Sequence, residues 1–424
     1  MDWTPSPSAR RALTVLTLIN LFNYLDRWML PVLGETLRHS PLQISDTEFG
    51  VLSSGFIIVY MLAAPFFGTW GDTRSRPRLI ALGIAIWSVA TALGGLAWSF
   101  LSLLVARAIV GVGEAAYGTI SPGLLADYYP RSHRARAFGI FYAVIPIGGA
   151  LGYLVAGQMD VHFGWRSAFF VAGVPGILLA LAALRMPDPP RGAQDAGESS
   201  IYARPQGGLA AYRALLSNRP YMLTVLGYAA YTFVMGGLVI FMPKFLMRVR
   251  GLPESAVALK FSGVLAVTGL VGTFVGGWLG DKLLARTRQA YLWLSGIATL
   301  LAVPCVTLAL TSPSPAVFWT CNVFAITLMM LSTGPINTVI VNVVSPDMRA
   351  TAMAGSIFAI HVLGDVPSPT IIGAWSDARS LQEAMLLMPV VVAISGIIWV
   401  YAAWQGQTDG RGRRRNVIRP AAYH

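Results

Sequence analysis

Gly68-Thr69-Trp70-Gly71-Asp72 and Gly277-Trp278-Leu279-Gly280-Asp281 are one short pattern written twice, 209 residues apart. Each copy ends a long apolar run. A second pair repeats at nearly the same offset. Pro130 leads into Arg134-Ala135-Arg136-Ala137 and Pro346 into Arg349-Ala350-Thr351-Ala352, 215 residues from arginine to arginine. Each copy of this pair opens an apolar run. In a chain of 424 residues both offsets are close to half the length. Two matches in the same order at one offset point to an internal duplication.

Between these markers the chain is apolar. It is 55% hydrophobic and 12% charged, where an average soluble domain is about 25% charged. Its mean hydropathy is +0.61. A membrane crossing needs about 20 mostly apolar residues. Twelve runs qualify: 12–33, 49–70, 79–98, 101–125, 136–159, 166–186, 220–245, 258–280, 290–310, 316–343, 351–374 and 382–404. Backbone polar groups in lipid must be satisfied within the segment, so each run is predicted to be a helix. The longest polar stretch, Pro187–Asn218, follows the sixth run and reads as a linker. The expected fold is an all-α membrane protein with twelve transmembrane helices in two six-helix pseudo-symmetric halves. Residues 1–186 form the N-terminal bundle, 187–218 a cytoplasmic linker, 219–404 the C-terminal bundle and 405–424 a basic cytoplasmic tail.

The net charge of +12 sits in short loops between the runs, which argues against nucleic acid as a partner and for cytoplasmic loops of a membrane protein. With the N-terminus inside, 22 of the 31 Lys and Arg fall on one face and 7 on the other, and Arg27 and Arg107 lie within spans. That asymmetry places both termini in the cytoplasm. No cleavable leader is expected, because the first run is too long for one. Cys305 and Cys321 lie in apolar runs and make no disulfide framework. Trp3, Trp98, Trp165, Trp319 and Trp375 fall near span ends, as interfacial anchors do. Arg411, Arg413, Arg414 and Arg415 form a juxtamembrane cluster expected on anionic lipid.

The duplicated motifs resemble the major facilitator superfamily over the whole chain. Gly68…Asp72…Arg76 is similar to that family's loop after the second helix, with Thr73 where a base is usual and Ser75 where a glycine is. Arg107…Gly111-Val112-Gly113…Ala115 resembles the fourth-helix motif. Pro146-Ile147-Gly148-Gly149 partly resembles a fifth-helix motif of exporters, with Ile145 in place of its glycine. Asn23-Tyr24-Leu25-Asp26-Arg27, Gly111-Val112-Gly113-Glu114-Ala115, Gly334-Pro335-Ile336-Asn337, Arg349-Ala350-Thr351-Ala352-Met353 and His361-Val362-Leu363-Gly364-Asp365 together look like the spinster branch. The resemblance implies a carrier of sphingolipids or lysophospholipids, with proton coupling in some members.

Few ionisable groups lie well inside spans: Asp26, Arg27, Arg107, Glu114, His361 and Asp365. Such groups are costly in lipid and are functional by default. Asp26 and Glu114 are expected to form a proton-coupling carboxylate pair, with Arg27 and Arg107 as competing counter-ions. An apolar pocket raises a carboxylate's proton affinity and a neighbouring arginine lowers it, so a site that alternates between the two moves protons. The competing account is a static buried salt bridge. Adjacent helix positions point about 100° apart, so Arg27 is free to face elsewhere than Asp26. His361 and Asp365, four apart, share a helix face and are candidates for a second proton or headgroup site. Asn23, Tyr24, Tyr117, Tyr142, Asn337 and Asn342 are polar candidates for the cavity wall, and Phe22, Phe56, Phe141, Phe233 and Phe358 apolar ones. Asp72 and Asp281 are read as gate residues, each capping a helix N-terminus of the other half, with Arg76 and Arg136 as partners. No metal-ligand spacing and no phosphate-cradling loop is present, so neither cofactor nor ATP drive is expected.

These residues point to a proton-coupled secondary transporter working by alternating access, with its site between the halves. The expected partners are a small amphipathic substrate such as a lysophospholipid or sphingoid lipid, protons and membrane lipid. The protein is expected to be a monomer in the plasma membrane, of the bacterial inner-membrane kind. The alternatives are a drug/H+ efflux pump, a small organic anion carrier, a lipid-modifying membrane enzyme, and a non-transporting sensor.

Overall fold

The computed structural model describes residues 4–44, 46–195, 208–252 and 254–417. Trp3, linker residues 196–207 and tail residues 418–424 lie outside the described residues, as do the side chains of Arg411, Arg413, Arg414 and Arg415. The N-terminal half holds α1 (Pro7–Val32), the short α2 (Gly34–His39), α3 (Asp46–Thr73), α4 (Arg76–Gly94), α5 (Phe100–Tyr128), α6 (Arg134–Phe163) and α7 (Trp165–Leu184). A linker helix α8 (Leu209–Ser217) precedes the C-terminal half. That half holds α9 (Arg219–Arg248), α10 (Glu254–Leu284), α11 (Ala290–Thr311), α12 (Pro315–Met330), α13 (Thr333–Asn342), α14 (Arg349–Ile360), α15 (Pro367–Ala378), α16 (Leu381–Met385) and α17 (Leu387–Val417).

The twelve expected crossings are all present. Eleven described helical stretches are long and apolar enough to span by composition. The twelfth is α1, at 26 residues. Asn20, Asn23, Asp26 and Arg27 lower its hydropathy, and the first three are buried inside the protein rather than facing lipid. The stretch reaches that interior because α6 lets α1 come close. A Cβ at Gly148 would stand 2.7 Å from the Leu21 carbonyl, and one at Gly152 would stand 2.5 Å from that of Leu25. Close backbone approach of this kind is how helices associate in lipid, where burial from water supplies little drive. The Pro146–Gly149 motif thus seats α1.

Three spans differ from the expectation of one continuous helix each. The tenth breaks between α12 and α13. Pro335 has no N–H for the Leu331 carbonyl, and Gly276 of α10 packs so tightly there that a Cβ would lie 2.1 Å from that oxygen. The eleventh passes from α14 through one π turn, His361–Asp365, into α15. Pro367 withholds a donor from the same region, and Thr232 of α9 donates its hydroxyl to the Ile360 carbonyl at 3.2 Å. The twelfth is split into α16 and α17, and α17 continues to Val417, past the expected end at 404.

The halves meet through α10 against α6, α14 against α3 and α5, and α13 against α6. The two cut spans meet the other half unequally. α14 packs on the N-terminal half, whereas α15 packs on α9 and α16 of its own half. The halves are therefore joined on the face that carries the described chain ends through α14, while α15, beyond the π turn, stays with its own half. The linker is not a loose tether at its described ends. α8 packs on α9 and α14, and its Tyr212 hydroxyl donates to the Pro65 carbonyl at 2.8 Å. Trp98 is exposed between α4 and α5 as an anchor would be, but Trp165 is buried against Phe169.

Candidate functional site

A cavity of about 130 Å³ lies between the halves. Asn23, Tyr24 and Arg27 of α1, Glu114 and Tyr117 of α5, Tyr142 of α6, Asn337 of α13 and His361 of the π turn all line it. Sequence reasoning passed over Asn20, Tyr60, Tyr228 and Ser356, which line it too. Among the expected aromatics, Phe141 is on the wall. Phe56 lies beneath it under two guanidiniums, Phe233 is in the core and Phe358 is exposed. Five tyrosines give the cavity an amphipathic lining, apolar on the ring face and polar at the hydroxyl.

Two ion pairs stand at its floor, and they divide the four charges between them. Arg27 Nε donates to Glu114 Oε2 at 2.6 Å. Arg107 Nη1 donates to Asp26 Oδ1 at 3.1 Å, and the Thr91 hydroxyl of α4 donates to Asp26 Oδ2 at 2.5 Å. The adjacent residues Asp26 and Arg27 face different ways. Arg27 looks into the cavity with its guanidinium over the rings of Tyr60 (4.8 Å), Phe56 (5.2 Å) and Tyr24 (5.3 Å). Asp26 points back among α1, α4 and α5 and has no exposed surface. Asp26 and Arg107 therefore do not line the cavity, contrary to the expectation that both acids face it together. Phe56 lies under both guanidiniums, 5.2 Å from each, and so links the two pairs physically.

Not every polar atom at the floor is used. Glu114 Oε1 and Asn23 Nδ2 are buried without a hydrogen-bond partner. Unfilled buried polar groups are rare in native proteins and call for an explanation. Both residues border the cavity, one with an unused acceptor and one with an unused donor just behind its surface. On the far wall, His361 Nδ1 bonds Asp365 Oδ1 at 2.9 Å across the π turn. The His361 ring meets Tyr60 of the other half edge-on at 5.6 Å. Asp365 itself stays off the cavity surface, its Cβ region packed against Gly236. Asn337 Nδ2 donates to the Thr333 carbonyl at 2.8 Å, which holds the start of α13 in place.

The face carrying the chain ends is shut by two equivalent clasps. Asp72, at the end of α3, accepts from the backbone N–H groups of Ala350 and Thr351 at 2.8 Å each. Asp281, near the end of α10, accepts from those of Ala135 at 3.1 Å and Arg136 at 2.8 Å. Each acid so caps a helix that opens in the other half, where the free N–H groups and the helix dipole favour an anion. Arg136 serves Asp281 through its backbone. Arg76 does not meet Asp72 at all. It starts α4 beyond the turn and reaches Asp127 of α5 and Asp188, the latter at 2.8 Å.

The same pseudo-symmetry governs two arginines quoted in the sequence only as repeats. Arg134 donates Nε to the carbonyls of Ala126 and Tyr129 and crosses to Asn342 of the other half. Arg349 donates Nε to the carbonyl of Val341 and crosses to Asp127. Asn342, expected on the cavity wall, is therefore a gate residue. The Arg-Ala-x-Ala repeats were the available signal for this clasp. Their conversion into contacts depends on which residues stand 215 positions before or after, which only the packing reveals.

Comparison with known proteins agrees with this architecture. The model of the Major Facilitator Superfamily matches residues 16–361. Protein spinster homolog 3 of Danio rerio is 34% identical over 435 residues, spanning 94% of this chain and 86% of that one. A crystal structure of a bacterial homolog to the human lysosomal transporter Spinster, inward-facing and unoccupied, superposes with a TM-score of 0.66 at 27% identity, over 96% of this chain and 99% of the other. A human organic anion transporter superposes with a TM-score of 0.73 at only 16% identity, over 93% of this chain and 100% of the other, which speaks for the fold alone. The duplicated twelve-helix frame, clasped at one face around a polar cavity, is the frame these relatives share. The chain belongs to the Major Facilitator Superfamily and, within it, to the spinster proteins, and it is an integral membrane transporter and not an enzyme.

Proposed function

We propose that the protein is a monomeric, proton-coupled carrier of an amphipathic lipid with one anionic headgroup, such as a lysophospholipid or sphingoid lipid phosphate. It sits in a bacterial inner membrane with both termini in the cytoplasm, as the distribution of Lys and Arg favours. The clasped face is then the cytoplasmic one and the cavity opens outward.

The observation that carries this reading is the Arg27–Glu114 pair with its spare oxygen. Glu114 has 0% exposed side chain and Arg27 has 23%. While Glu114 is ionised, the two charges cancel. A proton taken up on Glu114 leaves Arg27 as an uncompensated cation in a low-dielectric site, which is costly unless an anion joins it. A phosphate or carboxylate headgroup meets that need, and the open donor of Asn23 adds a hydrogen bond. Proton and anionic headgroup thus bind together, and each leaves with the other. The Asp26–Arg107 pair, closed in by Thr91, holds the floor and sets the background field. The cavity of about 130 Å³ is below the roughly 300–1,000 Å³ of a site that encloses a drug-sized ligand, which fits a headgroup socket with the acyl chain lodged elsewhere.

The same guanidinium suits a small hydrophilic organic anion, which is the second reading. Uptake of a labelled lysolipid into proteoliposomes, with and without an imposed pH gradient, tests the first. Gradient-stimulated uptake that is competed by other lysolipids and not by hydrophilic anions is the expected result. Competition by hydrophilic anions alone selects the second reading, and uptake indifferent to the gradient removes the proton role.

A further inference from the structure

Not every buried guanidinium of the clasp at the termini face is matched by an acid of the helices. Arg76, Arg134 and Arg349 are all buried, at 3%, 0% and 1% exposure. Asp72 and Asp281 are taken by backbone N–H groups, and among the described helix carboxylates Asp127 pairs with Arg76 and Arg349. Three buried guanidiniums on that one carboxylate call for further partners. The missing acids come from the described beginning of the linker. Asp188 takes Arg76 through both its backbone N–H at 3.1 Å and its Nε at 2.8 Å. Asp195 takes Arg134 at 2.8 Å and, with its other oxygen, Arg349.

The path between those two acids is threaded into the clasp as well. Arg191 donates to the carbonyls of Gly71 and Arg74 at 2.9 and 2.8 Å, at the turn after α3. Gly192 donates its N–H to Asp127 at 2.9 Å. Its φ of +76° and a position where a Cβ would come 2.8 Å from the Pro346 ring leave no room for another residue. One end of the segment is tied to the N-terminal half alone, through the Tyr128 hydroxyl on the Pro187 carbonyl and Asp188 on Arg76. The other end, Asp195, touches Arg134 of one half and Arg349 of the other at once. When the halves part, Asp195 cannot keep both.

We infer that residues 187–195 are a latch: the linker's two acids complete the charge balance of the closed face, and the face opens by releasing Asp195 from Arg349 while Pro187 and Asp188 stay on the N-terminal half. The latch concerns how the transporter changes state and does not depend on cargo or on proton coupling. Burial pushes the Asp195 carboxyl up, but Arg349 and Arg134 beside it outweigh that and hold it below the ordinary carboxylate value, so the latch stays charged in ordinary conditions.

The test uses the full chain in lipid nanodiscs, with Cys305 and Cys321 replaced by serine and spin labels on Arg78→Cys and Arg286→Cys, one in each half at the termini face. Pulsed electron–electron distances then report the closed and open populations. Asp195→Asn is expected to raise the open-to-closed ratio by about tenfold or more, the effect of losing charge-assisted hydrogen bonds. Asp195→Glu should keep the closed population. Adding Asn342→Asp to Asp195→Asn gives Arg134 a new acid at the position equivalent to Asp127, and the closed population should return. Asp188→Asn, at the end that stays on the N-terminal half in both states, should leave the ratio near that of the parent, and Asp195→Ser stands in if Asp195→Asn does not fold. A distance distribution unchanged when the Asp195 charge is removed, while Asp72→Asn does shift it, overturns the latch. Failure of Asn342→Asp to restore closure overturns the charge-balance account.

Discussion

Arg27→Met and Glu114→Gln, separately and together, form a double-mutant cycle on the pair that the proposed mechanism depends on. Breaking a fully buried ion pair by removing one partner costs about 3–5 kcal/mol, because the other charge is stranded. The two singles should not cost the same here. Arg27→Met strands the Glu114 carboxylate, whose side chain is 0% exposed and which sees Asp26 nearby as another negative charge. Its loss belongs near the lower half of that range, about 3–4 kcal/mol. Glu114→Gln strands a guanidinium that is 23% exposed to the cavity and keeps three aromatic rings within 5.3 Å. Cation–π contacts of about 0.5–2 kcal/mol remain, and the amide still offers an acceptor, so the loss should be about 1–2 kcal/mol. The double variant removes both charges and their desolvation, and should return to within about 1 kcal/mol of the parent. The coupling energy is then roughly 3–6 kcal/mol. Equilibrium unfolding in mixed detergent micelles measures all four corners. In acid, the Arg27→Met loss should shrink, since a proton neutralises the stranded carboxylate, while the Glu114→Gln loss should not. Additive losses in the double variant, or singles of equal size with no pH effect, would refute the reasoning.

Other expectations follow from the clasps and the packing. Asp72→Asn removes the charge from two N–H bonds of 2.8 Å and should open the termini face by about 10- to 100-fold, read as faster alkylation of a cysteine placed behind the gate. Asp281→Asn, whose acid also accepts from the Tyr291 hydroxyl, should act in the same direction. Gly276→Ala puts a methyl where 2.1 Å separates it from the Leu331 oxygen and should lower thermal stability by about 1–3 kcal/mol through overpacking. Gly263→Ala, with nothing within 4 Å, should change little in the same melt. The Asp195 carboxyl is held below its unfolded value by Arg349 and Arg134 against the opposing effect of burial. Its contribution is therefore complete above the unfolded value of about 3.9 and is lost as pH falls below that, through the folded value. The change that Asp195→Asn makes in the open-to-closed ratio should therefore be the same at every pH from about 5 to 8, and an effect that fades within that window would refute a charged Asp195.

The sequence carried the frame well because its physics is local. Twenty apolar residues make a helix in lipid wherever they occur, and two repeated motifs reveal the duplication without any knowledge of packing. Asp72 and Asp281 were legible as caps since an acid at the end of one half-repeat faces the start of a helix in the other. What stayed hidden is what depends on facing. Asp26 and Arg27 are neighbours, yet one helical step turns one into the cavity and the other into the bundle, and no pattern in α1 says which. Arg107 and Glu114, spaced to share one side of α5, were expected beside Asp26 and Arg27 with no arginine assigned to either acid; the rotation of α1 on the Gly148–Gly152 seat decides that Glu114 takes Arg27 and Asp26 takes Arg107. The linker was read by composition as a tether, because Pro, Gly and charge look alike in a solvated loop and in a segment threaded into a charge cluster. The breaks at Leu331 and at His361–Asp365 rest on Pro335, Pro367 and a close approach by another helix, and only the prolines were visible in advance.

Mechanics and binding divide differently between the halves. The clasps are duplicated: Asp72 and Asp281, Arg134 and Arg349, and Asp127 and Asn342 occupy matching places in the two repeats. The floor of the cavity is not duplicated, for both ion pairs come from α1 and α5 of the N-terminal half. The C-terminal half contributes His361, Asn337 and Tyr228 to the wall. A symmetric gate suits rigid halves that rock about one axis, since each clasp then opens by the same motion. An asymmetric floor suits a substrate with one charged end, which needs a single cation and not a matched pair. Changes at the clasps should therefore shift the balance of states for any cargo, whereas changes at Arg27 and Glu114 should alter which cargo and how many protons move. The link between the two is the π turn of the eleventh span. It lies directly between α14, which the Asp72 clasp caps, and α15, which follows its own half, and His361 on that turn meets Tyr60 under Arg27. Under the proposed function, a headgroup at Arg27 acts on the π turn, where the eleventh span is already bent, and closing around the substrate and releasing the clasp are then expected to be one movement.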